Sequence, residues 1–126
     1  MSDNLKKLIE LEKEAVDFGF EWPNSKSIIK QAISECLEIE EAINKNESLE
    51  RIQEEVGDLI HAAVSICRFT GLDIEQTLYK LTLKFSNRIG ALKLVAKQHK
   101  LDSLVGQNSD LMLQLWEEAK KFDKKI

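Results

Sequence analysis

The sequence predicts an all-α fold, an antiparallel bundle of about five helices completed by oligomerisation. Three observations predict it. A single proline and five glycines among 126 residues leave long stretches free of helix breakers, and the Leu, Ile, Glu and Lys that fill them are good helix formers. Apolar residues recur at three- and four-residue spacing in every such stretch. Short polar linkers separate the stretches, which favours antiparallel neighbours. The length suits one domain, read as 1–126 with a core over about 22–100 and covering helices at both ends.

The first helix, about 3–18, places Leu5, Leu8, Ile9, Glu12, Ala15 and Val16 at helical spacing and stops at Gly19. Phe18, Phe20 and Trp22 cluster before Pro23. They are expected to plug the space under a loop; the other reading is that one of these rings, best Trp22, offers its face for stacking. Asn24 or Ser25 can cap the second helix, which runs to about Asn44. Its apolar arc comprises Ile28, Ile29, Ala32, Ile33, Cys36, Ile39 and Ile43. The linker 44–48 is short enough to force a hairpin with the third helix, about 49–69. That helix is apolar almost all round between Val56 and Cys67, so burial against a second subunit is expected. Gly71 ends it. Asp73 and Gln76 look like a capping box for a long fourth helix to about Lys100. Its stripe, Ile74, Leu78, Leu81 and Phe85, meets Arg88 before resuming at Leu92 and Val95. After a loop over 101–108, the last helix, about 109–123, sets Leu111, Met112, Leu115, Trp116, Ala119 and Phe122 on one face.

A formal charge of −4 argues against binding a nucleic acid polymer, whose phosphates call for a basic surface. No apolar run reaches membrane-spanning length, and Met-Ser-Asp-Asn-Leu-Lys-Lys lacks the apolar core of a signal peptide. Cys36 and Cys67 sit in apolar helical stretches, read as reduced core residues of a cytoplasmic protein.

Two acidic clusters carry the chemistry. Residues three apart share a helix face, so Glu35 pairs with Glu38 and Glu55 with Asp58, and the hairpin brings the pairs together. At about 100° per residue, Glu35 falls inside the edge of its helix's apolar arc, between Ile28 and Ala42, and Glu38 just beyond it. Glu55 projects within the apolar face of the third helix beside Ala62, and Asp58 flanks it. Four partly solvated carboxylates in one place repel one another unless a cation intervenes, and hard oxygen ligands of this kind suit Mg²⁺ or Mn²⁺. Gly57 lies between the second pair and costs about 1 kcal/mol relative to Ala in a helix interior, which suggests close approach of a helix or ligand. On the fourth helix, Lys84, Asn87 and Arg88 can present two cations and an amide to one anionic ligand. Spacing alone equally allows Arg88 to pair with a neighbouring acid.

Ser34-Glu35-Cys36-Leu37-Glu38, followed after the linker by Glu54-Glu55-Val56-Gly57-Asp58, resembles the E-E-x-x-E … E-x-x-D signature of the MazG-like, all-α nucleoside triphosphate pyrophosphohydrolases. The resemblance spans about Trp22 to Arg88; Ser34 stands where the family has its first Glu. It implies Mg²⁺-dependent cleavage of an NTP or dNTP to the monophosphate and pyrophosphate. The implied metal ligands are Glu35, Glu38, Glu55 and Asp58. Glu38, Glu55 and Lys84 are the expected catalytic residues, with Glu38, the outermost carboxylate, placed to serve the attacking water. Trp22, Lys84, Asn87 and Arg88 are expected to hold the substrate, and the assembly to be a homodimer or homotetramer. Two other readings stand beside it. One is a non-catalytic helical interaction module. The other is a di-metal oxidative bundle, which Asp58-x-x-His61 hints at, but which needs that element twice; His99 has Ala96 three residues before it. His61 is therefore expected to pack or to support the ligands from behind.

Overall fold

The computed structural model describes residues 2–124, the Lys124 side chain excepted. Five helices and, among the described residues, no strand make up the chain: α1 (Asp3–Phe18), α2 (Ser25–Asn44), α3 (Leu49–Thr70), α4 (Ile74–Gln98) and α5 (Ser109–Lys124). Side-chain caps start each helix. Ser2 accepts from the Leu5 N–H, Asn24 from Ser27, Ser48 from Arg51, Asp73 from Gln76 and Asn108 from Leu111. Each cap satisfies one of the donors that a helix N-terminus leaves unpaired. Gly19 and Gly71 end α1 and α3 in the left-handed conformation, with φ of 105° and 78°, a region in which a Cβ is costly. In each case the following residue's N–H closes the turn, Phe20 onto Ala15 and Leu72 onto Cys67.

The chain divides into two compact units, 1–76 and 77–126. In the first, α2 and α3 form an antiparallel hairpin across the linker 45–48, and α1 lies against α3. Its buried strip is narrower than the apolar arcs suggest. On α2 the buried residues are Ile28, Glu35 and Ala42, seven apart; on α3 they are Glu55, Ala62, Val64 and Ser65. Glu35 is thus the middle of the packed seam, between Ile28 and Ala42. The rest of the arc stays outside: Ile29, Ile33, Leu37 and Ile43 are exposed, and so is Cys36. This corrects the reading of Cys36 as a core residue. The α2 seam follows the 28–35–42 register, and a position one residue on from Glu35 is turned about 100° away from it. Cys67 is partly buried. Along α3, Val56, Ile60 and Ala63 are likewise exposed.

A small core of Ala91, Val95, Leu115 and Ala119 holds the second unit, with Leu92, Leu101, Leu104, Leu111 and Phe122 packed around it. Phe85 and Trp116 stack at a tilt, with centroids 6.3 Å apart. Leu78, Leu81 and Phe85, the first half of the expected α4 stripe, remain exposed.

Candidate active site

The first unit contains a cavity of about 680 Å³. Its walls come from α1 (Leu8, Leu11, Glu12, Ala15), the aromatic segment (Phe20 to Pro23), α2 (Gln31, Glu35) and α3 (Asp58, His61, Ala62, Ser65, Arg68). Glu35 and Asp58 mark its acidic end.

At that end the hairpin gathers carboxylates. Oxygens of Glu35, Glu55 and Asp58 all lie within 4.8 Å of one another, and among the described residues this is the group of three or more potential metal ligands that comes together. Glu35 and Glu55 are 6% and 3% exposed, whereas Asp58 and Glu38 face solvent. Each buried carboxylate has one oxygen satisfied and one bare. Gln31 Nε2 donates to Glu35 Oε1 at 2.6 Å, and Arg51 Nη2 meets Glu55 Oε1 at 2.7 Å. Glu35 Oε2 and Glu55 Oε2 are buried without any partner. Such groups cost folding energy unless something satisfies them.

Glu38 reaches Glu55 as well. The Glu55 carboxyl is held above its ordinary value, first by its contact with Glu38 and then by burial, against the opposing influence of Glu35 and Arg51. Two ionised carboxylates have no hydrogen to share, so that contact is a hydrogen bond only when one of them carries a proton. Four carboxylates face one guanidinium here. Either protons or a cation must supply the missing positive charge, and a set of hard oxygens with two bare, buried atoms fits a divalent cation.

The structure places the remaining expected residues as follows. Trp22 is partly buried and lines the cavity. Phe18 and Phe20 do not plug a loop: they are 91% and 79% exposed, because the left-handed turn at Gly19 ends α1 between them with no core beneath. Phe20 still borders the cavity. Lys84, Asn87 and Arg88 belong to the second unit. There Lys84 and Asn87 are exposed, and Arg88 Nε lies 3.7 Å from Asp123 Oδ2, an ion pair too long for a hydrogen bond. A methyl group at Gly57 would meet nothing within 4 Å, so the expected close approach is not by another element of this chain. His61 takes no place in the carboxylate trio; it bonds Glu12. His99, in the second unit, lies 3.0 Å from Glu118.

A second network was not expected from the sequence. Glu12 is buried and accepts from His61 Nε2 (2.6 Å), Ser65 Oγ (2.6 Å) and Arg68 Nε. Burial alone raises a carboxyl, but these three donors outweigh it and hold Glu12 below its ordinary value. Arg68 also grips Glu21 bidentately, Nη1 to Oε2 at 2.8 Å and Nη2 to Oε1 at 2.9 Å. Glu21 Oε1 in turn accepts from the Trp22 N–H. Arg68 thereby ties α1 and the aromatic segment to α3. The available signal is a charge at a seam position: Glu12 interrupts the apolar spacing of α1, and Arg68 follows Ser65 by one turn on the inner face of α3.

The chain is similar to known proteins. The family model described as the MazG nucleotide pyrophosphohydrolase domain matches residues 24–91, from the cap of α2 through most of α4. Over 115 residues, 90% of this chain, the sequence is 29% identical to the nucleoside triphosphate pyrophosphohydrolase/pyrophosphatase MazG of Thermotoga maritima, covering 42% of that protein. It is 25% identical over 118 residues to a nucleoside triphosphate pyrophosphohydrolase of Escherichia coli K12, covering 93% of this chain and 44% of the relative. The chain therefore spans less than half the length of these relatives.

Proposed function

Because the chain belongs to the MazG nucleotide pyrophosphohydrolase domain family, we propose that it hydrolyses a nucleoside triphosphate to the monophosphate and pyrophosphate, using a divalent cation, Mg²⁺ or in its place Mn²⁺. The single observation that carries this reading is the convergence of Glu35, Glu55 and Asp58, two of them with bare buried oxygens, at one end of a cavity that Trp22 lines.

Glu35, Glu55 and Asp58 would hold the cation, with Glu38 beside them. When bound, it supplies positive charge against the triphosphate oxygens and against the charge that develops as the phosphoanhydride breaks. Arg51 fixes one oxygen of Glu55, and Gln31 one of Glu35, so both carboxylates are oriented before any ligand arrives. Glu38 is solvent-facing and in contact with Glu55, which suits it to orient the attacking water and take its proton. The nucleoside occupies the cavity with its base on Trp22. Lys84, Asn87 and Arg88 are proposed, on charge and on the sequence resemblance, to bind the triphosphate and stabilise the leaving pyrophosphate.

Incubation with canonical and damaged nucleoside triphosphates plus Mg²⁺, with products resolved, tests the proposal. Monophosphate and pyrophosphate are expected in equal amounts. Orthophosphate as first product, or no Mg²⁺-dependent turnover of any nucleotide, overturns it. In the same assay, Lys84→Ala and Arg88→Ala should slow turnover while leaving the response of thermal stability to Mg²⁺ intact.

A further inference from the structure

The cavity's polar residues are laid out in order along α3. His61 follows Asp58 by one turn, Ser65 by two and Arg68 by three, at about 4.5, 10 and 15 Å along the axis for a rise of 1.5 Å per residue. Arg68 holds Glu21, and Glu21 holds the Trp22 main-chain N–H, so the residue whose ring is proposed to stack on the base is anchored at the Arg68 end. If the phosphates lie at the carboxylate end and the base at Trp22, as the proposed function has it, the sugar falls in between, beside His61. Ser65 and Arg68 are already occupied by Glu12 and Glu21. His61 is half exposed and lines the cavity, and the bond it makes with Glu12 engages Nε2 alone.

That bond decides what the imidazole can offer. Glu12 accepts on one oxygen from the Ser65 hydroxyl and on the other from the Arg68 guanidinium, and an ionised carboxylate so placed has no hydrogen to give. His61 must therefore donate from Nε2. In the neutral ring the lone pair then sits on Nδ1. We propose that His61, fixed in this tautomer by Glu12, determines specificity by accepting a hydrogen bond at Nδ1 from a sugar hydroxyl of the bound nucleotide. Glu12 is the positioning residue of the pair.

The test rests on His61→Gln, whose amide nitrogen can reach Glu12 as Nε2 does but which leaves no acceptor at the Nδ1 position. Parent and variant are compared on ribonucleoside, 2′-deoxy and 2′,3′-dideoxy triphosphates of one base, with pyrophosphate release as the readout. In the parent, removing the contacted hydroxyl should lower kcat/KM about threefold to tenfold, the usual net worth of one hydrogen bond. His61→Gln should lose that discrimination, with its metal-free melting temperature unchanged. His61→Asn, which restores a polar atom near the Nδ1 position, should recover part of it. A parent indifferent to both hydroxyls, or a His61→Gln protein as discriminating as the parent, overturns the inference while leaving the proposed function standing. A parent that releases no pyrophosphate from any triphosphate overturns the function itself, and the inference with it.

Discussion

At the scale of single residues, the acidic cluster sets function against stability. Four carboxylates with one guanidinium among them carry mutual repulsion that a purely structural site would have little reason to retain. Asp58→Asn keeps the side chain's shape and removes one charge. The substitution should abolish most turnover, leave the metal-free fold as stable as before or slightly more so, and remove the rise in melting temperature that Mg²⁺ gives the parent by binding only the folded state. A destabilised variant that still turned over nucleotide and still responded to Mg²⁺ would instead make Asp58 half of a structural ion pair. Gly57, between Glu55 and Asp58, separates the same two demands. Nothing crowds its position, so Gly57→Ala should raise stability by about 1 kcal/mol through helix propensity alone. Turnover should nevertheless fall, since the missing Cβ leaves room for a ligand or a second copy to approach α3 closely at this point. Thermal melts and initial rates on one preparation check both halves, and unchanged rates would leave Gly57 without a role at the site.

At the scale of helices, the boundaries were legible because their determinants are local. Asn24, Ser48 and Asp73 cap within three residues of themselves, and Gly19 and Gly71 stop helices by their own φ. The Glu35 and Glu55 faces were legible to within a turn of the wheel. What the wheel does not give is which part of a broad apolar arc another helix covers, so the arc alone puts Cys36 in the core although it is exposed. Least legible of all was the tie between α1 and α3. Glu12 and Arg68 are 56 residues apart, and no local pattern marks a pair at that distance. Its consequence is a pH dependence. Because Glu12 is held below its ordinary value of 4.5, it binds fewer protons folded than unfolded at mildly acidic pH. The stability it contributes is complete above about pH 5 and is lost as the pH falls through the folded value. Glu12→Gln should lose about 1–3 kcal/mol at neutral pH, since Arg68 is left short of a charged partner, and should flatten the acid limb of the stability curve. Hydrogen exchange followed along α1 from pH 6 to pH 3 would show the parent's protection falling with acid and the variant's low throughout. Equal acid sensitivity in the two proteins would put the titrating group elsewhere.

For the molecule as a whole, the unsettled matter is the apolar surface. Ile29, Ile33 and Leu37 repeat every four residues along α2 and are all about half exposed; Val56 and Ile60 are exposed at the same spacing on α3, and in the second unit Leu78, Leu81 and Phe85 are exposed on α4. Large apolar side chains left uncovered in this way mark association surfaces, and the seam between α2 and α3 buries few large side chains, Ile28 being the one closed off completely. Self-association is the simplest way to cover such surface, and a two-fold axis would match each stripe with its own copy. Light scattering at micromolar concentration should accordingly give at least twice the 14.4 kDa of one chain. Ile33→Glu places a charge at the centre of the α2 stripe, where an isologous contact would set it against its symmetry mate. That substitution should shift the mass towards the monomer and make the melting temperature fall on dilution. A well-folded parent monomer would show instead that the exposed stripes are tolerated as they stand.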